Sequence, residues 1–429
     1  MLNNPMTVKK IFTLILSLLL LSSVFAGCAP SSEKATVSAE SAETEVTKQE
    51  EEKETSKIPE ANRLSKEKIA AFPIANDSMT EDELRKLCVD FFRFSQTFAW
   101  TPDRDWKYGS DAENPNKTLT TGTVYGGFPY LLGTGNVYRI AEFYDEETGV
   151  VHMDGAAQRQ RIFGNFCSYG SGWGFSRVVN SAVHKLTKDM VPKNGYIPVG
   201  SYKIDPNLEE LAKNTTLNIC ADNGKEVMFS SYALLKPADA LVTFSSGGHV
   251  IMCSEVKVVK KADGTVDPEK SHIKFLDQKG SWSFHKLENG KNYQVQGGVD
   301  QVCTFSALFK KGYIPYTFGE FLGTDPVEKG EAELVCEAAS PTVAQLAAGS
   351  VRANYMISDV FWSVSDQSGK IVQSDVIRTT NGGVMSAKLV SLGEKLSAEY
   401  ASPTYTVRIT AQIGNGEKLP VWEGHLAKG

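Results

Sequence analysis

Apolar positions follow a helical rhythm early in the chain and a two-residue rhythm late in it. Between 79 and 98, Leu84, Leu87, Cys88, Phe91, Phe92 and Phe98 fall on one stripe of a 3.6-residue period. Thr80 and Glu83 carry the spacing of a capping box just ahead of that stripe. The spacing predicts a helix there. A second helix is expected from near Trp173, through Arg177, Val178 and Val179, to His184. From Asp103 to Phe166 the chain is rich in Gly, Asn and Asp and is expected to be loop. Strands dominate after Leu241.

The pattern changes again at Gly330. Val360, Trp362 and Val364 alternate before the turn signal Asp366-Gln367-Ser368-Gly369, and Tyr405, Val407 and Ile409 do so before Gly414-Asn415-Gly416. Short alternating strands between turns predict a small immunoglobulin-like β-sandwich over 330–429.

The first sixty residues have a different composition. Lys9 and Lys10 precede an apolar run from Ile11 to Phe25, short for a bilayer span and ending in small residues. The segment Val24-Phe25-Ala26-Gly27-Cys28 resembles the bacterial lipobox, with Phe25 where Leu is usual. The resemblance implies that Cys28 is acylated, that 1–28 is a lipoprotein signal peptide, and that the protein is lipid-anchored at the outer face of the cytoplasmic membrane or otherwise extracytoplasmic. Residues 31 to 60 hold nine Glu against four Lys and no aromatic residue. Such a segment lacks the apolar surface to offset its ordering entropy. We therefore expect 29–62 to be a disordered acidic linker, reaching roughly 30 Å as a coil. It contributes −5 to the formal net charge of −6, Lys9 and Lys10 add +2, and residues 61 to 429 carry only −3. No basic field points to nucleic acid.

The candidate chemistry lies between 120 and 285, in Tyr125-Gly126-Gly127, in Asn165-Phe166-Cys167-Ser168, and in Lys236-Pro237-Ala238-Asp239 leading to Gly248-His249-Val250. These segments resemble the NlpC-type cell-wall endopeptidases and their CHAP relatives, which are papain-like cysteine hydrolases. The resemblance implies an α+β fold over 63–329, with N-terminal helices and an antiparallel sheet. It also implies peptidoglycan as partner, no cofactor and no metal, and a substrate cleft involving Tyr125, Ser168 and Gln278. Two departures stand out. Phe166 occupies the place of the family's Asp, and Ala238 the place of its Gly.

Elementary chemistry selects the same residues. A thiol becomes a strong nucleophile when ionised, and a His or a helix N-terminus favours the thiolate. Cys167 stands ahead of a predicted helix and is the candidate nucleophile; His249 opens a strand and is the candidate base and acid. The strand from His249 and the next, from Ile273 to Gln278, are joined by Lys261-Ala262-Asp263-Gly264. Paired antiparallel, they bring Asp277 or Gln278 beside His249, and alternation allows only one of the two to face it. Asp277 is preferred, because a carboxylate fixes the tautomer and stabilises the imidazolium.

The segment Gly172-Trp173-Gly174-Phe175-Ser176 resembles the stretch after the papain nucleophile, but in that register Gly172 would replace the thiol. Cys88 and Cys253 are expected in the core, and Cys220, Cys303 and Cys336 have no metal spacing. The leading expectation is a cell-envelope cysteine hydrolase that cuts an amide bond of peptidoglycan, as stem-peptide endopeptidase or amidase. The competing ones are a catalytically inactive wall- or protein-binding lipoprotein on the same fold, and an adhesive protein acting through its C-terminal strands.

Overall fold

Thr80 opens the first long helix as its spacing requires. Its side chain accepts from the Glu83 N–H, and the Glu83 carboxylate accepts from the Thr80 N–H at 2.8 Å. This helix, α1, is Glu81–Thr97, and Leu84, Leu87, Cys88, Phe91 and Phe92 are buried along it, with Phe98 at its end. The computed structural model describes residues 58–107, 118–130, 135–152, 164–180, 186–245, 247–379 and 384–429. Cys28, the linker up to residue 57 and His184 lie outside the described residues. Residues 58–62, expected to be linker, belong to the body: Ile58 is buried against Ala99, Leu287, Tyr293 and Val295. No helix among the described residues is long and apolar enough to cross a membrane.

The second helix, α2, is Cys167–Phe175, earlier in the chain than the expected 173–184. Arg177, Val178 and Val179 follow its end. Its glycines suggest loop by propensity, but close approach is what they serve. A Cβ on Gly174 would stand 2.7 Å from Phe92 Cβ and 2.9 Å from Met252 Cε, and one on Gly170 would stand 3.1 Å from Gln278 Cβ. Small residues thus let α2 lie against α1 and the sheet, and packing overrides weak helix propensity. A third helix, α3 (Thr215–Tyr232), has no counterpart in the sequence expectation. It is broken at Gly224, whose φ of 78° only glycine adopts easily, so its apolar pattern is interrupted.

The molecule is a β-rich mixed α/β structure. Its first sheet holds β1 (Ala99–Pro102), β4 (Tyr125–Gly126), β5 (Val150–Val151), β6 (Ile197–Pro198), β7 (Ala240–Phe244), β8 (Gly248–Lys257), β9 (His272–Lys286), β10 (Asn292–Thr304) and β11 (Ile314–Thr317). The spatial order is β5-β1-β4-β10-β9-β8-β7-β11-β6. β2 (Trp106–Lys107) and β3 (Thr118–Leu119) form a separate ribbon. The central strands β7 to β10 are antiparallel neighbours, with Met252 opposite Leu276 across the β8–β9 pair.

The C-terminal strands are β12 (Ala332–Val335), β13 (Ser350–Ser365), β14 (Ile371–Arg378), β15 (Val384–Lys388), β16 (Thr406–Ile413) and β17 (Lys418–Gly424). The first half of β13 pairs with β12 and β15, its second half with β14 and β16, and β16 pairs with β17. All six strands are therefore one hydrogen-bonded sheet. Val360, Trp362, Val364, Val407 and Ile409 are buried in its own core, on the face that alternation assigns them, with Tyr405 partly buried beside them.

The residues before and after 330 belong to one compact unit. Buried Arg139 reaches the carboxylate of buried Asp359 at 3.2 Å and also donates to the carbonyls of Ser358 and Thr379. Ser176, one residue past α2, donates to the Gly414 carbonyl at 2.9 Å.

Candidate active site

The site is assembled where the N-terminus of α2 meets the start of β8 and the middle of β9. Cys167 is the first residue of α2, and Phe166 before it provides no side-chain cap. The first N–H groups of a helix have no acceptor within the helix, so this end carries partial positive charge. Cys167 is 4% exposed. Its Sγ lies 3.7 Å from the Gly248 carbonyl and 3.9 Å from the Thr187 hydroxyl.

His249, the second residue of β8, is near enough to that thiol for each to shift the other's pKa. Its Nε2 lies 3.0 Å from Asp277 Oδ2. With Nε2 committed to the carboxylate, Nδ1 is the nitrogen left for sulfur. The imidazole side chain is 24% exposed and the carboxylate 2%. Antiparallel pairing of β8 and β9 produces this contact, as the alternation argument requires.

Electrostatics follow from the contacts. Burial pushes the Cys167 thiol up, but the hydrogen bond and charge of His249, with help from Thr187 and the Val250 N–H, hold it below its ordinary value. Burial alone would lower the His249 pKa; its bonds to Asp277 and Cys167 and their charges outweigh that and raise it to about 9. The pair is thus biased toward thiolate and imidazolium. Burial pushes Cys88 and Cys253 up strongly, and Cys220 up to about 11.

Asp277 sits in a cradle made by two glycines of β10. A Cβ on Gly298 would stand 2.5 Å from Asp277 Oδ1, and one on Gly297 would collide with the Asp277 carbonyl. Gln96 of α1 donates to that carbonyl at 2.5 Å. Asp277 Oδ1 is buried with no partner among the described residues.

Three expected cleft residues have other surroundings. Tyr125 is buried in the second core between Trp100 and Trp282, and its hydroxyl accepts from the Thr120 N–H at 2.9 Å. There it packs among aromatic side chains. Gln278 points to the face opposite Asp277, where its Nε2 donates to the carbonyls of Phe128 and Gln296 at 2.6 and 2.8 Å. It braces the loop before Tyr130 against β10. Ser168 is buried, and its hydroxyl has no partner among the described residues.

Tyr130, Thr187 and Lys279 complete the site without having been expected. Burial, then the nearby Cys167 thiol, raises the Tyr130 pKa. Lys279 Nζ is 3.8 Å from Asp277 Oδ2 and donates to Gln301 Oε1 at 2.6 Å. Only Lys279 had a signal in the sequence: it lies two residues from Asp277 on the same strand face. His272 is at the far end of the hairpin, opposite Lys257, and His285 bonds to Ser283 beyond the site.

Among the described residues no group of three His, Cys, Asp or Glu side chains is placed to hold a metal ion. Comparison with family models, with curated proteins and with solved structures finds no match for this chain.

Proposed function

We propose that this protein is a cysteine hydrolase of the cell envelope that cuts an amide bond of peptidoglycan. The observation that carries the reading is the relay from Cys167 through His249 to Asp277, with Nε2 and Oδ2 3.0 Å apart. In the proposed reaction the thiolate attacks the amide carbonyl and the C–N bond breaks. His249 passes its proton to the leaving amine, giving an S-acyl enzyme. Water, deprotonated by His249, then releases the carboxylic acid and restores the thiol. Asp277 holds the ring in the tautomer that directs Nδ1 at sulfur and stabilises the imidazolium. The N–H groups opening α2 face the developing oxyanion.

On this reading the first sheet with α1 and α2 is a papain-like catalytic part, and the C-terminal strands an immunoglobulin-like one. Cys28 is then the lipid anchor that keeps the enzyme at the membrane face beside its substrate. Support comes from the helix-start thiol, the strand-start histidine and the antiparallel order of β7 to β10. The test is release of new amines or soluble muropeptides from purified sacculi. Wild type is expected to release them and Cys167→Ala and His249→Ala to release none; activity surviving in Cys167→Ala overturns the mechanism.

One observation favours a catalytically inactive wall-binding lipoprotein instead: Cys167 is buried. That reading predicts sacculus binding without cleavage, and no difference between wild type and Cys167→Ala.

A further inference from the structure

Lys279 reaches the carboxylate that holds His249. Its ammonium lies 3.8 Å from Asp277 Oδ2, the same oxygen that bonds to His249, while the other oxygen, Oδ1, is buried without a partner among the described residues. Gln301 on β10 holds the ammonium there at 2.6 Å. The side chain is 30% exposed, so the contact adds little to stability. It also lies on the strand face of Asp277, two residues further along β9.

We propose that Lys279 tunes the His249–Asp277 couple: its ammonium, moored by Gln301, shares Oδ2 with the imidazole and loosens the carboxylate's hold on the proton that His249 must deliver. This rests on the hydrolase reading for its purpose, though not for its measurement. A buried carboxylate acting alone would favour the imidazolium strongly, and an imidazolium held too tightly is a poor acid toward a leaving amine. A second cation on the same oxygen opposes that excess. Among the described residues, the charged or titratable groups facing His249 are Cys167 from α2, Asp277 and Lys279 from β9, and, through their interactions with Cys167 and Asp277, Tyr130 and Tyr313. Lys279 is the cation among them other than the imidazolium itself.

The test is a proton NMR titration of His249 in the full-length protein with labelled histidine, the resonance assigned with His249→Gln. Removing a unit charge about 4 Å from Asp277 should raise the His249 midpoint in Lys279→Met by about one pH unit. Lys279→Arg, which keeps the charge, should restore it. Thermal unfolding of each variant establishes that the fold is kept. A Lys279→Met titration that superimposes on wild type, or a shift that arginine does not reverse, overturns the proposal. If the midpoint moves as expected but wild type leaves sacculi uncut, the electrostatic coupling stands and the hydrolase reading alone fails.

Discussion

Arg139 and Asp359 form an ion pair with almost no solvent contact, 3.2 Å apart and 2% and 1% exposed. They come from opposite sides of residue 330: Arg139 from a short helical turn at Val137–Ile140, Asp359 from the middle of β13. The guanidinium also serves the carbonyls of Ser358 and Thr379. Breaking such a pair from one side leaves a buried charge unmatched, which costs more than the pair contributes as a whole. Arg139→Met should therefore destabilise the protein by about 3–5 kcal/mol. The double variant Arg139→Met/Asp359→Leu should recover much of that loss. Urea unfolding of the four proteins of the cycle measures it; two single losses that simply add in the double variant would remove the coupling.

Thiol selectivity is the second expectation. At neutral pH iodoacetamide should alkylate Cys167 ahead of Cys88, Cys220 and Cys253, because His249 holds its pKa down while burial pushes theirs up. His249→Ala removes the imidazolium and should abolish the preference. Mass spectrometry of tryptic peptides after brief labelling reads the outcome; a preference unchanged in His249→Ala would disconnect the two residues.

The pH dependence follows with a definite sign. Lowering the Cys167 pKa extends the thiolate to lower pH than an ordinary thiol allows, so alkylation should persist well below the usual thiol range. Turnover also needs the proton on His249, whose pKa is raised to about 9. Sacculus hydrolysis should thus be level through neutral pH and fall above about 9, while alkylation does not fall there. A hydrolysis rate still climbing above that point would mean that His249 does not supply the leaving-group proton.

Much of this arrangement could be read from residues close together in sequence or bound by strand alternation. Thr80 and Glu83 declare a helix start by local spacing alone. Two strands and a turn allow only one of Asp277 and Gln278 to face His249, and Asp277 could be preferred because a carboxylate suits an imidazolium better than an amide does. What escaped depends on distant partners. The glycines of α2 read as loop, since nothing local says that Phe92 and Met252 wait on the other side. The kink at Gly224 hid α3. Tyr125 and Tyr130 are equivalent as sequence, and only the packing of Trp100 and Trp282 decides that the first is core. The six C-terminal strands were legible as strands, but not the single hydrogen-bonded sheet that β13 makes of them.

Asp277 and Gln278 should separate cleanly in mutant form. Asp277→Asn keeps the volume but alters the bond to Nε2, and should lower kcat by about 10²–10⁴-fold. Gln278→Ala leaves the carbonyls of Phe128 and Gln296 without their donor, a cost to stability of about 1–3 kcal/mol per unsatisfied group. Its thiol reactivity should stay close to wild type where the fold persists. A Gln278→Ala protein that is stable but has lost the Cys167 preference would reverse the assignment.

Gly298 offers a way to disturb Asp277 without touching it. A methyl group there would stand 2.5 Å from Asp277 Oδ1 and 2.9 Å from the Gln301 side chain. Both neighbours are side-chain atoms, so they can yield, and the strand needs no unusual backbone angle at this position. The carboxylate would have to turn, and because its two oxygens move together a turn of Oδ1 also shifts Oδ2 relative to Nε2. A displacement of about 1 Å at a positioning group can cost up to about 10²-fold in rate. Gly298→Ala should therefore lose about ten- to a hundredfold in kcat on sacculi, with KM and the unfolding midpoint little changed. It should also lower the His249 titration midpoint, because the imidazolium loses its anion. That second readout distinguishes a turned carboxylate from general loosening of the sheet. A Gly298→Ala enzyme with full activity and an unmoved midpoint would mean that the cradle tolerates the methyl group and that Asp277 needs no such close fit.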